Sequence, residues 1–484
     1  MSRRTQFRLL VAITLAWVAW ATWSMIDDPE PFTLRVLDDV GDPVANAVVA
    51  AEGRQLGQTG DNGLLEVDPQ GALVEVDAPG HVSATFTVTP PDDGVFDVVL
   101  KARILRGHVV DPAGRPVERA LVSAGSARAW SDEEGRFSVR GAEVGTVKVE
   151  RAAWEPVEFD WGGGPGEQEV MIEPLNIKAV HITGEAVEEQ FDHFLEMTER
   201  TELNALMVDL KDESGQVLYR SSVPMVAEVG AEGDMFDLEE VAAAADERGL
   251  YLIGRIVVFQ DPIAAQAIPE MSVFDQATGQ PLTSRGQYFL DPTDTEARAY
   301  ALSLAEEACR MGVDEVQFDY VRFPDVRPES AHFDAGVTLD VRAEAIRSFL
   351  REALEALNPK GCAVGVDVFG FVTTAADDGG IGQRWEDITS VADVVSPMIY
   401  ASHYDPGWFG LDDPGERPDV VVRRALEDAL ERSPGRVVVR PWLQDFGYPA
   451  QRVRAQIDVA EEMGLGWMLW NATAEVTVGA LESE

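Results

Sequence analysis

The chain of 484 residues carries 85 acidic and 39 basic residues, a formal net charge of -46, and 45% of its residues are hydrophobic. That hydrophobic content supports large cores and excludes a disordered protein. The acidic residues are spread through all regions and no basic stripe accompanies them, so we expect no nucleic-acid partner. We interpret the charge as a halophilic adaptation, because salt screens self-repulsion; an ordinary acidic secreted protein is the alternative.

An apolar segment near the N-terminus follows a cluster of positive charge. Residues 9–26 are almost wholly apolar, and Arg3, Arg4 and Arg8 precede them. This length is about the lower limit for a membrane-spanning helix, and flanking arginines stay on the cytoplasmic side. We therefore expect residues 1–28 to be a single-pass membrane anchor and the domains that follow it in the sequence to be extracellular. A signal peptide cleaved near residues 19–21, and hence a secreted protein, is the alternative.

Short alternating strands separated by Gly, Pro, Asp and Asn run from residue 31 to residue 174, and their pattern repeats. The tetrapeptide GDPV at 41–44 recurs as GRPV at 114–117, and an acidic turn ending in glycine follows each copy. The repeat predicts two small all-β sandwiches, at 31–101 and 102–174. It resembles carboxypeptidase regulatory-like domains, which implies spacer or adhesion modules without chemistry of their own.

Strand-like runs alternate with amphipathic helical runs from residue 175 to residue 484. The predicted strands are 177–183, 205–211, 251–259, 315–321, 363–369, 394–400, 436–442 and 466–471. The predicted helices are 187–200, 238–248, 293–310, 339–357, 383–391, 418–431 and 450–463. This order predicts a (β/α)8 TIM barrel. An open doubly wound sheet is the alternative, but its first turn is expected to be glycine-rich, and here that turn reads HITGE.

Period-two alternation assigns a set of polar and aromatic side chains to the inside of the barrel. They are His181, Asp209, Lys211, Arg255, Gln317, Asp319, Asp367, Tyr400, Arg440, Trp442 and Gln444. Nearly all lie in the second half of their strands, where TIM-barrel enzymes place their active sites. A structural ion pair is the alternative for any single member of the set.

Two carboxylates carry the catalytic prediction. Asp319 lies in the stretch EVQFDYVRFP at 315–324, and Asp367 lies on the next strand. Neighbouring strands are about 5 Å apart, so the two groups cannot both ionise freely and one pKa is expected to rise. Glycoside hydrolysis uses this arrangement, with the short separation favouring retention. In the alternative, one aspartate pairs with Arg255 or Arg440 and the other only caps a loop.

Aromatic side chains follow the same strand ends, and flat apolar rings beside polar donors suit the faces and edges of sugars. The substrate is therefore expected to be a polysaccharide or glycan. The predicted substrate contacts are His181, Asp209, Lys211, Arg255, Gln317, Arg322, Tyr400, His403, Trp442 and Gln444.

Six motifs carry a family resemblance. They are KD at 211–212, RIVVF at 255–259, FDYVRFP at 318–324, DVFG at 367–370, SPMIY at 396–400 and RPWLQ at 440–444. Over about residues 176–478 the chain resembles a glycosyl-hydrolase TIM-barrel family formerly described as a domain of unknown function. The resemblance implies a barrel distantly similar to α-amylase and α-galactosidase relatives, in which the fourth-strand aspartate is the nucleophile, here Asp319. Those relatives often place the acid on a different strand, so the role of Asp367 does not follow from it.

The expected function is a monomeric, exported glycoside hydrolase that needs no metal or cofactor. A metal-dependent amidohydrolase barrel needs several histidines, and the first strand offers only His181. A Schiff-base or pyridoxal enzyme needs an inward lysine, for which Lys211 is the sole candidate. A non-catalytic cell-surface protein that binds glycan or peptidoglycan is the alternative. We expect Cys309 and Cys362 to be buried thiols, with a disulfide as the second possibility.

Overall fold

The computed structural model describes residues 32–67, 73–88, 94–326, 331–332 and 338–483. These divide into two compact units. The first takes the residues up to Val109, Glu118–Val149 and Val157–Val170, and the second takes Val110–Val117, Glu150–Pro156 and the residues from Met171 on. The predicted membrane anchor lies outside the described residues. Among those that are described, no helix has the length and apolar character to cross a bilayer.

The β-rich region consists of two sandwiches, as predicted. One sheet of the first sandwich consists of Phe32–Asp38, Leu64–Val67, His81–Val82 and Val95–Ala102. The other sheet consists of Val48–Ala51, Arg54–Gln58, Leu73–Asp77 and Ala84–Thr87. Their inward residues, such as Leu34 and Val76, share one core. One sheet of the second sandwich consists of Leu121–Ala124, Ala127–Trp130, Gly145–Glu150 and Val157–Trp161. The other sheet consists of Ile104–Val110, Arg136–Arg140 and Gln168–Met171.

The sequence repeat corresponds to a turn that occurs in the same form in both sandwiches. In the first sandwich, Oδ1 of Asp38 accepts hydrogen bonds from the backbone N–H groups two and four residues later, both at 2.9 Å. Asp111 makes the same two bonds in the second sandwich, at 2.9 and 2.8 Å. Gly41 and Gly114 take left-handed backbone angles within these turns, with φ of 96° and 75°. The tetrapeptides recur because each turn needs an acceptor and a glycine at the same spacing.

Eight parallel strands form a closed barrel in chain order, which confirms the predicted TIM-barrel fold. They are β1 (Lys178–Ile182), β2 (Ala205–Lys211), β3 (Tyr251–Val257), β4 (Glu315–Asp319), β5 (Ala363–Phe369), β6 (Val394–Ile399), β7 (Val438–Val439 and Trp442–Gln444) and β8 (Trp467–Trp470). Strand β7 is split and displaced from its predicted bounds. Pro441 lies between its two segments and has no N–H group for a sheet hydrogen bond.

Helices alternate with the barrel strands. They are α1 (Gly184–Thr198), α2 (Pro224–Val229), α3 (Leu238–Asp246), α4 (Pro262–Ala267), α5 (Thr295–Arg310), α6 (Leu339–Leu357), α7 (Trp385–Thr389), α8 (Pro418–Arg432) and α9 (Ala450–Glu462). Side-chain caps define several starts; Asp294, for example, accepts from two backbone N–H groups of the first turn of α5. The apolar faces of these helices pack on the outward residues of the strands in one large core.

A buried ion pair lies inside the barrel at the start of β4. Nη1 of Arg440 donates to both carboxylate oxygens of Glu315, at 2.9 and 3.0 Å, and the hydroxyl of Tyr251 donates to Glu315 at 3.1 Å. Both charged side chains are fully buried. Arg440 therefore faces inward as predicted, but its partner is Glu315, which the sequence analysis did not single out.

Cys309 and Cys362 form a disulfide, so the expectation of two free thiols was wrong. The bond joins the last turn of α5 to the residue that precedes β5, with a Cα–Cα distance of 5.9 Å. The two cysteines are 53 residues apart in sequence but adjacent in space, because β4 and β5 are neighbours in the barrel.

Removing this disulfide is expected to destabilise the barrel. Closing a loop of this length lowers the entropy of the unfolded chain by an amount worth about 4 kcal/mol. The double variant Cys309→Ala, Cys362→Ala should lose a comparable free energy of unfolding, measured in guanidinium chloride, and the reduced wild type should match it. Identical unfolding of the oxidised and reduced wild type would contradict the prediction.

Candidate active site

A pocket of about 170 Å³ opens at the C-terminal ends of the barrel strands. Both predicted catalytic carboxylates line it. The described residues around it are Glu213, Arg255, Asp319, Tyr320, Arg322, Asp367, Phe369, Gln383, Met398, Tyr400, Trp442 and Trp470. The site is thus assembled from the ends of several strands, as in other TIM barrels.

Arg255, on β3, is the centre of the charge network and is almost fully buried. Its Nη1 donates to Asp209 at 2.8 Å, and its Nε and Nη2 donate to Oδ2 of Asp319 at 3.1 and 2.5 Å. Nη2 also donates to Glu213 at 2.5 Å. The guanidinium lies 5.0 Å from the ring centroid of Trp470. One buried cation therefore compensates three carboxylates that come from three different chain segments.

Asp209 is held on its other side by His181. The carboxylate oxygen Oδ2 lies 2.9 Å from Nε2 of the histidine, whose Nδ1 lies 2.9 Å from the carbonyl oxygen of Asn471. The imidazole also stacks on Trp470, with ring centroids 4.1 Å apart. Burial alone would raise the pKa of Asp209, but the charges and hydrogen bonds of His181 and Arg255 outweigh it and lower the pKa to about 2. Asp209 is therefore ionised and acts on the pocket through Arg255.

Asp319 is the last residue of β4 and belongs to both the ion network and the pocket. While Oδ2 faces Arg255, Oδ1 accepts from the backbone N–H of Tyr320 at 2.6 Å. Tyr320 has a left-handed backbone, with φ of 52°, which a side chain other than glycine rarely adopts. Burial and the negative charges of Asp319 and Glu213 raise the pKa of Tyr320 to about 12, so its phenol stays neutral.

Asp367, on β5, lies in the opposite electrostatic environment. Its Oδ1 accepts from Nε2 of Gln317 and from Nε1 of Trp442, both at 2.6 Å. Complete burial and the nearby charge of Asp319 raise the pKa of Asp367 well above its usual value, although Arg255 and the two hydrogen bonds oppose the shift. Within the described residues both hydrogen bonds go to Oδ1, which leaves Oδ2 available to the pocket. Asp367 therefore keeps its proton to a higher pH than an ordinary aspartate does.

A second cavity of about 340 Å³ adjoins the pocket and shares Phe369, Met398 and Tyr400 with it. The exposed His403 lines this second cavity, with its ring 5.6 Å from that of Tyr400. Burial and the charges that Asp367 and Asp319 carry at the high pH where a phenol titrates raise the pKa of Tyr400 well above its usual value, so this phenol is neutral at the junction.

Five of the predicted substrate contacts do not line the two cavities: His181, Asp209 and Gln317 contact pocket residues, whereas Lys211 and Gln444 lie elsewhere. A register shift between Asp209 and Lys211 interrupts the alternation of β2, so Lys211 is not on the inward face assigned to it. Its Nζ is 3.0 Å from Asp261 and donates to the carbonyl oxygen of Val257 at 2.8 Å. Gln444 is buried and uses its amide to hold the loop after β6, accepting from the backbone N–H of Ser402 at 3.1 Å.

Two polar pocket residues were missed by sequence reasoning. Glu213 follows β2 in a loop, and Gln383 lies in the loop before α7, where its amide accepts from the backbone N–H of Phe369 at 3.0 Å. Strand alternation says nothing about side chains in loops. The only available signal for Glu213 was its position directly after the KD motif. Among the described residues, no group of three or more His, Cys, Asp or Glu side chains could hold a metal ion.

The chain belongs to a known family. The family model described as "Putative glycosyl hydrolase domain" matches residues 179–475, more than half of the sequence and nearly the whole barrel. This confirms the resemblance inferred from the sequence motifs. No curated protein matches the chain.

Several solved structures are similar. A hypothetical protein from Ruminiclostridium thermocellum is 34% identical, with a TM-score of 0.36 over 39% of this chain and 97% of that one. The PgaB (BpsB) glycoside hydrolase domain from Bordetella bronchiseptica is 11% identical, with a TM-score of 0.45 over 62% of this chain and 95% of that one. A class V chitinase from Pseudomonas fluorescens is 12% identical, with a TM-score of 0.38 over 63% and 98%. The family assignment rests on the family model, not on these structures.

The raised pKa of Asp367 predicts how stability depends on pH. A group whose pKa is raised by folding contributes stability at low pH and loses it as pH rises through the folded-state value. The free energy of unfolding of the wild type should therefore fall relative to that of Asp367→Asn as pH increases, measured by urea unfolding at several pH values. Asp234→Asn, at an exposed carboxylate, is the matched control. Parallel curves for wild type and Asp367→Asn would contradict the prediction.

Proposed function

We propose that the barrel is a glycoside hydrolase that cleaves a polysaccharide or cell-surface glycan with Asp319 and Asp367. One observation carries the proposal: the two carboxyl groups line one pocket in opposite electrostatic surroundings. Arg255 compensates the charge of Asp319, whereas burial and that same charge raise the pKa of Asp367. Two titratable groups whose environments divide them in this way supply an acid and a charged partner at the same pH.

In the proposed mechanism, the protonated Asp367 donates its proton to the glycosidic oxygen as the bond to the leaving group breaks. Asp319 attacks the anomeric carbon and forms a covalent glycosyl-enzyme. Water then attacks the same carbon, releasing Asp319 as its carboxylate, and gives a proton to Asp367. Placement of the carboxylates at the ends of neighbouring strands favours this retaining course.

Gln317 and Trp442 act in this scheme as positioning residues. Both donate to Oδ1 of Asp367, so the carboxyl group is fixed with its other oxygen directed to the substrate. Arg255 likewise positions Asp319 through two donors on one oxygen, leaving Oδ1 with a single backbone N–H partner. A nucleophile held in this way loses little entropy when it reacts.

We also propose that the chain is membrane-anchored or secreted, so that the barrel acts outside the cytoplasm. The disulfide between Cys309 and Cys362 supports this, because such bonds are rare in reducing compartments. Segment 9–26, which lies outside the described residues, would serve as the anchor or signal. Resistance of the barrel to protease added outside intact cells, with degradation after lysis, would contradict an exposed location.

Replacing Asp319 with Asn is expected to abolish turnover and leave the fold intact. The change keeps the size of the side chain and removes its charge, so the rate should fall by about 10³-fold or more. Wild type and variant are compared on a panel of polysaccharides, with new reducing ends as the measure. Asp234→Asn is the control for loss of one surface charge. An active Asp319→Asn would exclude Asp319 as nucleophile, and an inactive wild type across a broad panel would favour a glycan-binding protein.

A further inference from the structure

Arg322 lies in the FDYVRFP stretch just after β4 and lines the pocket, where it is half-buried. Aromatic rings surround its guanidinium: the ring centroids of Tyr320, Phe289 and Phe369 are 5.1, 5.2 and 5.4 Å away. Its one hydrogen bond among the described residues goes from Nη1 to the adjacent carbonyl oxygen of Phe323, at 3.1 Å. The rings fix the position of the cation and leave most of its donors unused.

Among the described residues, the charge of Arg322 has no direct counter-ion. Within the described part of the chain, no carboxylate oxygen lies within 4.0 Å of its nitrogen atoms, whereas Arg255 in the same pocket pairs with three carboxylates. Burial lowers the pKa of Arg322, but a guanidinium stays charged at neutral pH. In a chain with 85 acidic and 39 basic residues, carboxylates are abundant. A partly desolvated arginine without a carboxylate partner destabilises the fold. Its position in the pocket therefore indicates that it binds an anionic ligand.

We propose that Arg322 binds a carboxylate on the sugar in this pocket, so that the substrate is a carboxylated glycan. The inference rests on the proposed function and deepens it by naming the substrate class. A planar guanidinium matches a carboxylate with two parallel hydrogen bonds, and Tyr320 and Phe369 present ring surfaces beside the same position. Arg255 cannot take this role because its donors already serve Asp209, Glu213 and Asp319.

Two kinds of carboxylated sugar serve as probes of this group. One is a hexuronate, whose carboxylate is carbon 6 of the ring, and the other is an amino sugar with a lactyl ether. The probes are therefore tetragalacturonate and a peptide-free tetrasaccharide of alternating N-acetylglucosamine and N-acetylmuramic acid, each beside its carboxyl-reduced, neutral counterpart. Calorimetric binding of the full chain is measured for the wild type, Arg322→Gln and Arg322→Lys. Arg200→Gln, which removes one exposed positive charge far along the chain from the pocket motif, is the matched control.

In at least one arm, the wild type should bind the carboxylated probe at least about tenfold more tightly than the reduced probe, the usual advantage of a charge-assisted hydrogen bond. Arg322→Gln should remove that difference by weakening only the carboxylated probe, Arg322→Lys should retain part of it, and Arg200→Gln should keep it. Equal binding of carboxylated and reduced probes by the wild type in both arms would overturn the proposal, whatever the folding of the variants. So would an equal loss of both forms in a folded Arg322→Gln.

Release of reducing ends from the same probes separates this inference from the proposed hydrolysis. Preferred binding of a carboxylated probe without cleavage would support the role of Arg322 and count against catalysis. Cleavage of the carboxylated and the reduced probes at equal rates, both unchanged in Arg322→Gln, would support catalysis and overturn the role of Arg322.

Discussion

The site depends on the charge of Arg255, which is buried inside the barrel and must be compensated there. Asp209, Glu213 and Asp319 supply that compensation from β2, its following loop and β4. Removing Arg255 would leave the buried Asp209 and Asp319 without a cation, a change that typically costs about 3–5 kcal/mol. The network therefore holds three chain segments in a fixed relation at the mouth of the pocket.

The raised pKa of Asp367 is a consequence of that network. The arginine is occupied by other carboxylates, so Asp367 receives only neutral hydrogen-bond donors, from Gln317 and Trp442. Burial and the nearby charge of Asp319 then raise the pKa of Asp367 well above its usual value. The other inward arginine, Arg440, is committed to Glu315, to whose carboxylate oxygens it donates at 2.9 and 3.0 Å. The difference between the two carboxyl groups thus follows from which of them contacts Arg255.

Sequence reasoning predicted the barrel and much of its interior, because both follow from local periodicity. The helix predicted at 339–357 is observed as Leu339–Leu357, and the inward positions of Asp209, Arg255 and Asp367 follow from alternation along regular strands. The prediction failed where the backbone departs from regularity. The irregularity in β2 turns Lys211 away from the pocket, and Glu213 and Gln383 reach it from loops. Pairings such as Glu315 with Arg440, 125 residues apart, depend on tertiary contacts that a single sequence does not contain.

The central claim is that Asp319 and Asp367 divide catalysis between a charged nucleophile and a neutral acid. It is tested most directly by kcat/KM on aryl glycosides of graded leaving-group acidity, made from whichever sugar the polysaccharide panel identifies. For Asp367→Asn, the account predicts a small loss with 2,4-dinitrophenyl glycosides, which need no acid, and a loss that grows by orders of magnitude as the phenol becomes less acidic. A uniform loss for Asp367→Asn, with the graded loss appearing instead in Glu213→Gln, would contradict it.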